Sequence, residues 1–203
     1  MKKILNFLKN SVLFENPVLS LFVGITPLLA MSTKLLDGCF MGLCAIVCVF
    51  VSSLLFRALG RFVPKYLRDV VYILACASVV SLCEILLHAF LPSVYESLGI
   101  YLPLLCVSGL VFSRSKKFEK AENIKVCMIE ALTCGIGFAV TIIALSLVRE
   151  FFGRGTVAGF TVIPEKYAAT LIAGPVGGFI LLGILIAVCG KLLSGKKSEE
   201  ESK

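Results

Sequence analysis

The sequence predicts an all-α membrane protein: six transmembrane helices arranged as two inverted three-helix repeats, with broken half-helices in spans 1 and 4. Three observations predict it. The 203 residues are 58% hydrophobic and only 16% charged, with a mean hydropathy of +0.98, whereas soluble domains average about 45–50% apolar and about 25% charged. The apolar residues gather into six runs. The first and fourth runs are each interrupted by a glycine and a proline, at Gly24-Ile25-Thr26-Pro27 and at Gly99-Ile100-Tyr101-Leu102-Pro103.

The six runs cover 17–32, 38–56, 70–90, 98–113, 126–148 and 170–193. A helix of roughly 20 apolar residues crosses a bilayer, and the second, third, fifth and sixth runs meet that length. The first and fourth are shorter, which suits half-helices meeting at a break. Proline inside a helix deletes a backbone donor and clashes with the preceding turn, and glycine loosens the same stretch. Backbone interrupted in lipid persists only where protein or a cavity satisfies it. Paired breaks at corresponding places in two halves therefore point to a site near the membrane midplane. The start Met1-Lys2-Lys3 runs into Lys9 and Asn10 without a small-residue cleavage pattern, so the first run is read as a span and not as a removed leader.

Basic residues orient the set. With six spans, the N-terminus, the loops after spans 2 and 4 and the C-terminus share one side. That side holds 16 of the 20 Lys and Arg residues, and the other holds Lys34, Arg149, Arg154 and Lys166. The positive-inside rule places both termini in the cytoplasm, and the expected location is a bacterial or archaeal cytoplasmic (inner) membrane. The net charge of +7 is then a topology signal. No nucleic-acid partner is expected, because no soluble domain is left to bind one; the lipid bilayer is the expected surrounding.

One integral membrane domain is expected over 1–193, with repeat halves 12–92 and 93–193. An odd number of spans per half inverts the second copy relative to the first. Residues 114–125 form a charged cytoplasmic loop, 149–169 the longest outer loop, and 194–203 a charged cytoplasmic tail.

Soluble catalytic machinery is absent from the sequence. A single histidine, His88, rules out His-based triads and multi-His metal sites, and Gly135-x-Gly137 lacks the preceding strand of a dinucleotide fingerprint. Nine cysteines fall mostly inside apolar runs with no Cys-x-x-Cys pair, which reads as small apolar packing and not as disulfides. Gly174-Pro175-Val176-Gly177-Gly178 reads as close helix packing, with a flexible pivot as the second reading. Charge within hydrocarbon is costly and often functional. Glu84, about two turns from the end of span 3, is therefore an ion-path candidate, together with Gly24, Pro27, Gly99 and Pro103 at the breaks. Glu130 lies one turn into span 5, near the cytoplasmic face, and Arg149-Glu150 anchors the outer end of that span or pairs with another subunit.

At these breaks the sequence resembles a known family. Asn16-Pro17-Val18-Leu19 with Gly24-Ile25-Thr26-Pro27-Leu28-Leu29-Ala30 is similar to the first span of one family of redox-complex membrane proteins. That family unites the E-type subunits of Rnf electron transport complexes with the D-type subunits of Na+-translocating NADH:quinone reductases. Tyr95-Glu96-Ser97-Leu98-Gly99-Ile100-Tyr101-Leu102-Pro103-Leu104, Arg149-Glu150-Phe151-Phe152-Gly153-Arg154-Gly155-Thr156 and Pro175-Val176-Gly177-Gly178-Phe179 continue the resemblance in order. It implies a membrane component of a redox-driven ion pump that couples electron transfer among NADH, ferredoxin or quinone to Na+ or H+ transport, with no complete catalytic site in this chain alone. It also implies partners: a homologous sister subunit (Rnf A-like) and other redox subunits. The resemblance further implies a [2Fe–2S] cluster shared by the sister pair, each contributing one cysteine from a Gly-x-Cys-Pro break and one from an Asn-Cys after the fourth-span proline. Thr26 and Gly109 stand at those two cysteine positions here, and neither is a ligand as it stands. Cys106, three residues before Gly109, is the nearest candidate metal ligand. The alternative is a divergent paralogue without the cluster, acting as a small secondary transporter or a structural membrane partner.

Overall fold

A computed structural model of the chain describes residues 24–59, 63–108, 111, 124–157, 160–161 and 170–201. Within them the chain is almost wholly helical. It runs through α1 (Ile25–Met31), α2 (Leu35–Leu59), a 3-10 turn (Lys65–Leu67), α3 (Arg68–Phe90), α4 (Pro92–Leu98), α5 (Leu104–Val107) and α6 (Ile124–Arg154). A two-residue antiparallel ribbon, β1 (Thr156–Val157) with β2 (Phe160–Thr161), follows, then α7 (Thr170–Ala173) and α8 (Pro175–Glu201). Three helical stretches are long and apolar enough to cross a membrane: Leu35–Leu59, Arg68–Phe90 and Cys127–Arg154. A shorter apolar helix, Pro175–Val188, lies within α8.

The long helices α2 and α6 form the central pair, and the sequence lets them approach closely. Gly38 and Gly42, four apart on α2, face Ser146 and Ala139 on α6, and Gly135 on α6 faces Ile46 on α2. A Cβ at Gly42 would stand 3.0 Å from the Ala139 Cβ, one at Gly135 2.8 Å from the Ile46 Cα, and one at Gly38 would collide with the Ser146 hydroxyl. Small residues at four-residue spacing let helix backbones meet where no hydrophobic effect drives them together. Serine and threonine hydroxyls on this pair are satisfied within their own helices, as in Ser146 Oγ to the Ile142 carbonyl (2.7 Å) and Thr141 Oγ1 to that of Gly137 (2.9 Å).

The third long helix, α3, packs on α2 through Tyr72. Its ring is fully buried, meets Phe56 edge-on at 5.3 Å, and its hydroxyl lies 3.1 Å from Ser53 Oγ. Away from α2, α3 exposes Val70, Leu74, Leu82, Ile85, Leu86 and Phe90, a face suited to lipid or to another apolar surface.

Two features differ from the sequence expectation. The sixth run is not one helix: it breaks at Gly174 between α7 and α8. The proline at 175 is the first residue of α8, the helical position that tolerates it best because its missing N–H would be unpaired there anyway. The fifth run continues as helix to Arg154, so Arg149 and Glu150 lie within α6 and are buried, not at a solvated helix end. Residues 17–23 of the first run and 109–110 and 112–113 of the fourth lie outside the described residues.

Candidate functional site: an arginine clamp at the helix breaks

The first break begins at Gly24, whose φ of 82° is left-handed and open to glycine at little cost. It starts α1, a seven-residue helix with Pro27 and Leu28 buried and Thr26 exposed. The chain then turns at Ser32 to Lys34 and enters α2. Such a turn leaves two sets of unpaired backbone groups: the last carbonyls of α1 and the first N–H groups of α2.

Two consecutive residues of α6 take both. Arg149 is 3% exposed and each of its five N–H donors has an acceptor. Nη1 donates to the Leu29 carbonyl (2.8 Å) and to Ser32 Oγ (2.7 Å) at the end of α1. Nη2 donates to the carbonyls of Ala173 and Gly174 (3.0 Å each), and Nε to that of Ile172 (3.4 Å), at the end of α7. Ser32 Oγ in turn donates to the Leu29 carbonyl (3.1 Å). One guanidinium thus joins the carbonyl ends of two broken helices, a task its planar, five-donor fork suits and a lysine ammonium does not.

Glu150, 4% exposed, points to the opposite kind of helix end. Its Oε2 accepts from the backbone N–H of Leu35 (2.6 Å), the first residue of α2, and its Oε1 accepts from Thr156 Oγ1 (3.2 Å) on β1. The signs are the favourable ones: a cation at helix carbonyl ends and an anion at a helix amide end. Asp37 in the first turn of α2 also lies within electrostatic reach of Lys34, Glu150 and Arg154.

Glycines make room for the clamp. A Cβ at Gly178 would sit 3.0 Å from the guanidinium carbon of Arg149, and one at Gly153 would sit 2.8 Å from the backbone nitrogen of Ala173. The close-packing reading of the Gly174–Gly178 stretch therefore holds, with a backbone break added to it.

The second break is built differently. α4 ends at Leu98, and Gly99 is right-handed (φ −53°). The chain passes through short turns, with the Tyr101 N–H bonded to the Leu98 carbonyl (2.9 Å) and that of Leu104 to the Tyr101 carbonyl (3.2 Å), into the four-residue α5. Apolar side chains hold it: Leu98, Leu102 and Leu105 are fully buried. α5 packs against both α1 and α3.

The candidate residues fall as follows. Gly24 just before α1 and Pro27 on it, and Gly99 and Pro103 before α5, belong to two breaks whose short helices are in contact. Glu84, half-buried on α3, is within electrostatic reach of Cys106 on α5. Gly109 lies outside the described residues. Thr26 is exposed and offers a hydroxyl, and among the described residues no group of three or more His, Cys, Asp or Glu side chains is placed to hold a metal ion. His88 packs edge-on against Tyr95, with ring centroids 4.9 Å apart. What sequence reasoning missed was the partnership of Arg149 and Glu150. Their signal was available: an adjacent Arg-Glu pair inside a long apolar segment needs partners.

Comparison with known proteins decides the family. Residues 4–186 match the model of the Rnf-Nqr membrane protein subunits. The chain belongs to the Rnf-Nqr family. This Rnf-Nqr chain is 31% identical, over 93% of its length and 89% of the relative's, to the E component of a proton-translocating ferredoxin:NAD+ oxidoreductase complex of Clostridium ljungdahlii. It is 30% identical to the Na+-translocating counterpart of Acetobacterium woodii, over 91% and 96% of the two chains. It is also 30% identical to the E component of an ion-translocating oxidoreductase complex of Shewanella amazonensis, over 93% and 88%.

Proposed function

We propose that this Rnf-Nqr chain is the E-type membrane component of a bacterial ion-translocating oxidoreductase, in which electron transfer between ferredoxin and NAD+ drives Na+ or H+ across the membrane. Near-complete coverage of relatives that carry that name supports the reading. The observation that carries it is the contact between α1 and α5. Two interrupted helical segments meet inside an apolar helical body, which is where transporters place their ion sites. The clamp at Arg149 gives the α1 side of that site a fixed end.

In this reading the chain makes six spans in two inverted halves, with both termini cytoplasmic, and works beside a homologous sister subunit. The exposed apolar face of α3 is available to such a partner. Reporters fused after Lys203 are expected to behave as cytoplasmic, and an external signal would refute the orientation.

A cluster built on the family's positions does not fit the donors present. [2Fe–2S] centres are held by thiolates, whereas Thr26 offers an exposed hydroxyl and the residue at 109 is glycine. Cys106 is buried on α5, three residues before that position, and is a single thiol. No electron-transfer step is therefore routed through such a cluster in this chain. The donor set also favours the second reading, a cluster-free paralogue that moves ions or scaffolds a membrane complex without carrying electrons.

The test is ion uptake into vesicles holding the purified complex, driven by reduced ferredoxin and NAD+. Glu84→Gln is expected to slow uptake severalfold with complex assembly intact, because it removes a charge bordering the second break. Unchanged uptake would refute the ion-path role. Uptake by the lone chain without electron donors would favour the second reading, and stoichiometric iron in the purified sister pair would overturn the cluster argument.

A further inference from the structure

The turn between α2 and α3 carries a charge that neither the clamp nor the proposed ion path uses. Residues 57–70 hold four basic side chains, Arg57, Arg61, Lys65 and Arg68, against one acidic one, Asp69. Arg57 lies in the last turn of α2, and Arg68 is the first residue of α3. The contacts of Tyr72 with Phe56 and Ser53 pack those two helix ends together, so both arginines sit at one end of the helix pair. Each helix is long and apolar enough to cross a membrane, which puts the end they share at a membrane–water boundary.

Three observations single this end out. Arg68 Nε is buried without a hydrogen-bond acceptor, alone among the buried side-chain nitrogens and oxygens of the described residues. The other buried guanidinium donors, those of Arg149, all have acceptors. A buried donor left unpaired costs free energy, and the Arg68 side chain as a whole is only half-buried, which leaves part of it open to the boundary. Next, no side chain caps the start of α3 at Leu67, and an uncapped amide end favours a neighbouring anion. Finally, the 3-10 turn presents Tyr66 at 81% exposure, with Leu67, Leu59 and Val70 also exposed around it. A tyrosine among exposed aliphatic side chains suits the level where headgroups meet acyl chains.

We propose that the α2–α3 turn is a binding site for an anionic phospholipid. Arg68 and Arg57 hold the headgroup phosphate, and Tyr66 lies against the upper acyl chains. A guanidinium fork matches phosphate oxygens two at a time. Phosphate beside the turn draws the Arg68 fork outward and gives Nε the acceptor it lacks. The excess of basic over acidic residues favours a lipid of net negative charge, since a zwitterionic headgroup brings its own cation to the phosphate. A free phosphate gains nothing from Tyr66, Leu67 and Val70. Anionic lipid is a partner in either leaflet, so the site stands apart from the orientation of the termini and from the ion-pump reading.

The experiment mixes the full chain, purified in neutral detergent, with equal amounts of phosphatidylglycerol and phosphatidylcholine, and identifies retained lipid by native mass spectrometry. Phosphatidylglycerol is expected to be retained at least about fivefold over phosphatidylcholine, the factor one basic residue near an anionic surface supplies. Arg68→Gln is expected to lower that retention about fivefold, and Tyr66→Ala to lower it less. Lys191→Gln, at an exposed cation on α8, should leave it unchanged. If Arg68→Gln does not accumulate, the unaltered chain decides the matter: a photoreactive phosphatidylglycerol is expected to label peptides within 57–70. Equal retention of the two lipids, labelling confined to other segments, or an equal loss with Lys191→Gln would each overturn the proposal. So would displacement of the lipid by millimolar inorganic phosphate, or a protein cross-linked to 57–70 in whole membranes in place of lipid.

Discussion

The two broken segments solve the same problem by opposite means. At the α1 break, a left-handed glycine starts the helix, and charged side chains from α6 satisfy the backbone at its far end. At the α4–α5 break the backbone satisfies itself through short-range turns, and buried leucines hold it in place. The first arrangement is rigid and long-range; the second is local and apolar. An arginine that binds two carbonyl ends at once ties α1 to α7, whereas nothing comparable among the described residues ties α5. If one break moves during transport, it is the second, because its restraints are the weaker kind.

The comparison breaks most readily at Arg149. Arg149→Ala removes five hydrogen bonds and leaves carbonyls of α1 and α7 without their donor, with an expected loss of about 3–5 kcal/mol. Thermal unfolding in detergent should show it, and a variant as stable as the parent would refute the clamp. Arg149→Lys should recover only part of the loss, because an ammonium cannot reach both helix ends. Glu150→Gln is expected to cost about 1–2 kcal/mol, since the Leu35 N–H keeps an uncharged acceptor but loses the charge at the α2 amide end. The smallest effects separate the glycines. Gly24→Ala should cost about 1 kcal/mol through its left-handed backbone. Gly99→Ala would place a Cβ 2.9 Å from the Tyr95 carbonyl oxygen, a steric conflict that a small shift of the turn relieves; the expected sign is enhanced amide exchange across 98–108 with little change in overall melting. Equal responses at the two glycines would erase the distinction drawn between the breaks.

Much of this was legible in the residues. Hydropathy marks the long helices α2, α3 and α6, because burying or exposing apolar faces in lipid imposes uninterrupted runs. Gly24 and Gly99 mark the breaks, because few other signals stop a helix inside an apolar stretch. The third break, at Gly174, is less readable: Pro175 at a first helical turn and glycines at a packing contact carry the same letters, and only the guanidinium of Arg149 at the carbonyls of Ala173 and Gly174 tells them apart. The clamp itself was hidden for a simpler reason. Its partners on Leu29, Ile172, Ala173 and Gly174 are backbone atoms, and backbone atoms leave no trace in side-chain identity.

The reach of Arg149 also bears on how the chain is assembled during synthesis. Its contact with Leu29 spans 120 residues, and its contact with Gly174 spans 25. The end of α1 leaves the ribosome long before the arginine that satisfies it, and the arginine in turn precedes its last acceptors. Until Gly174 has been made, the guanidinium has only one of its two helix ends to bind. Maturation of the first segment therefore waits for the last, so a nascent chain that stalls before residue 172 should remain a substrate for membrane quality-control proteases.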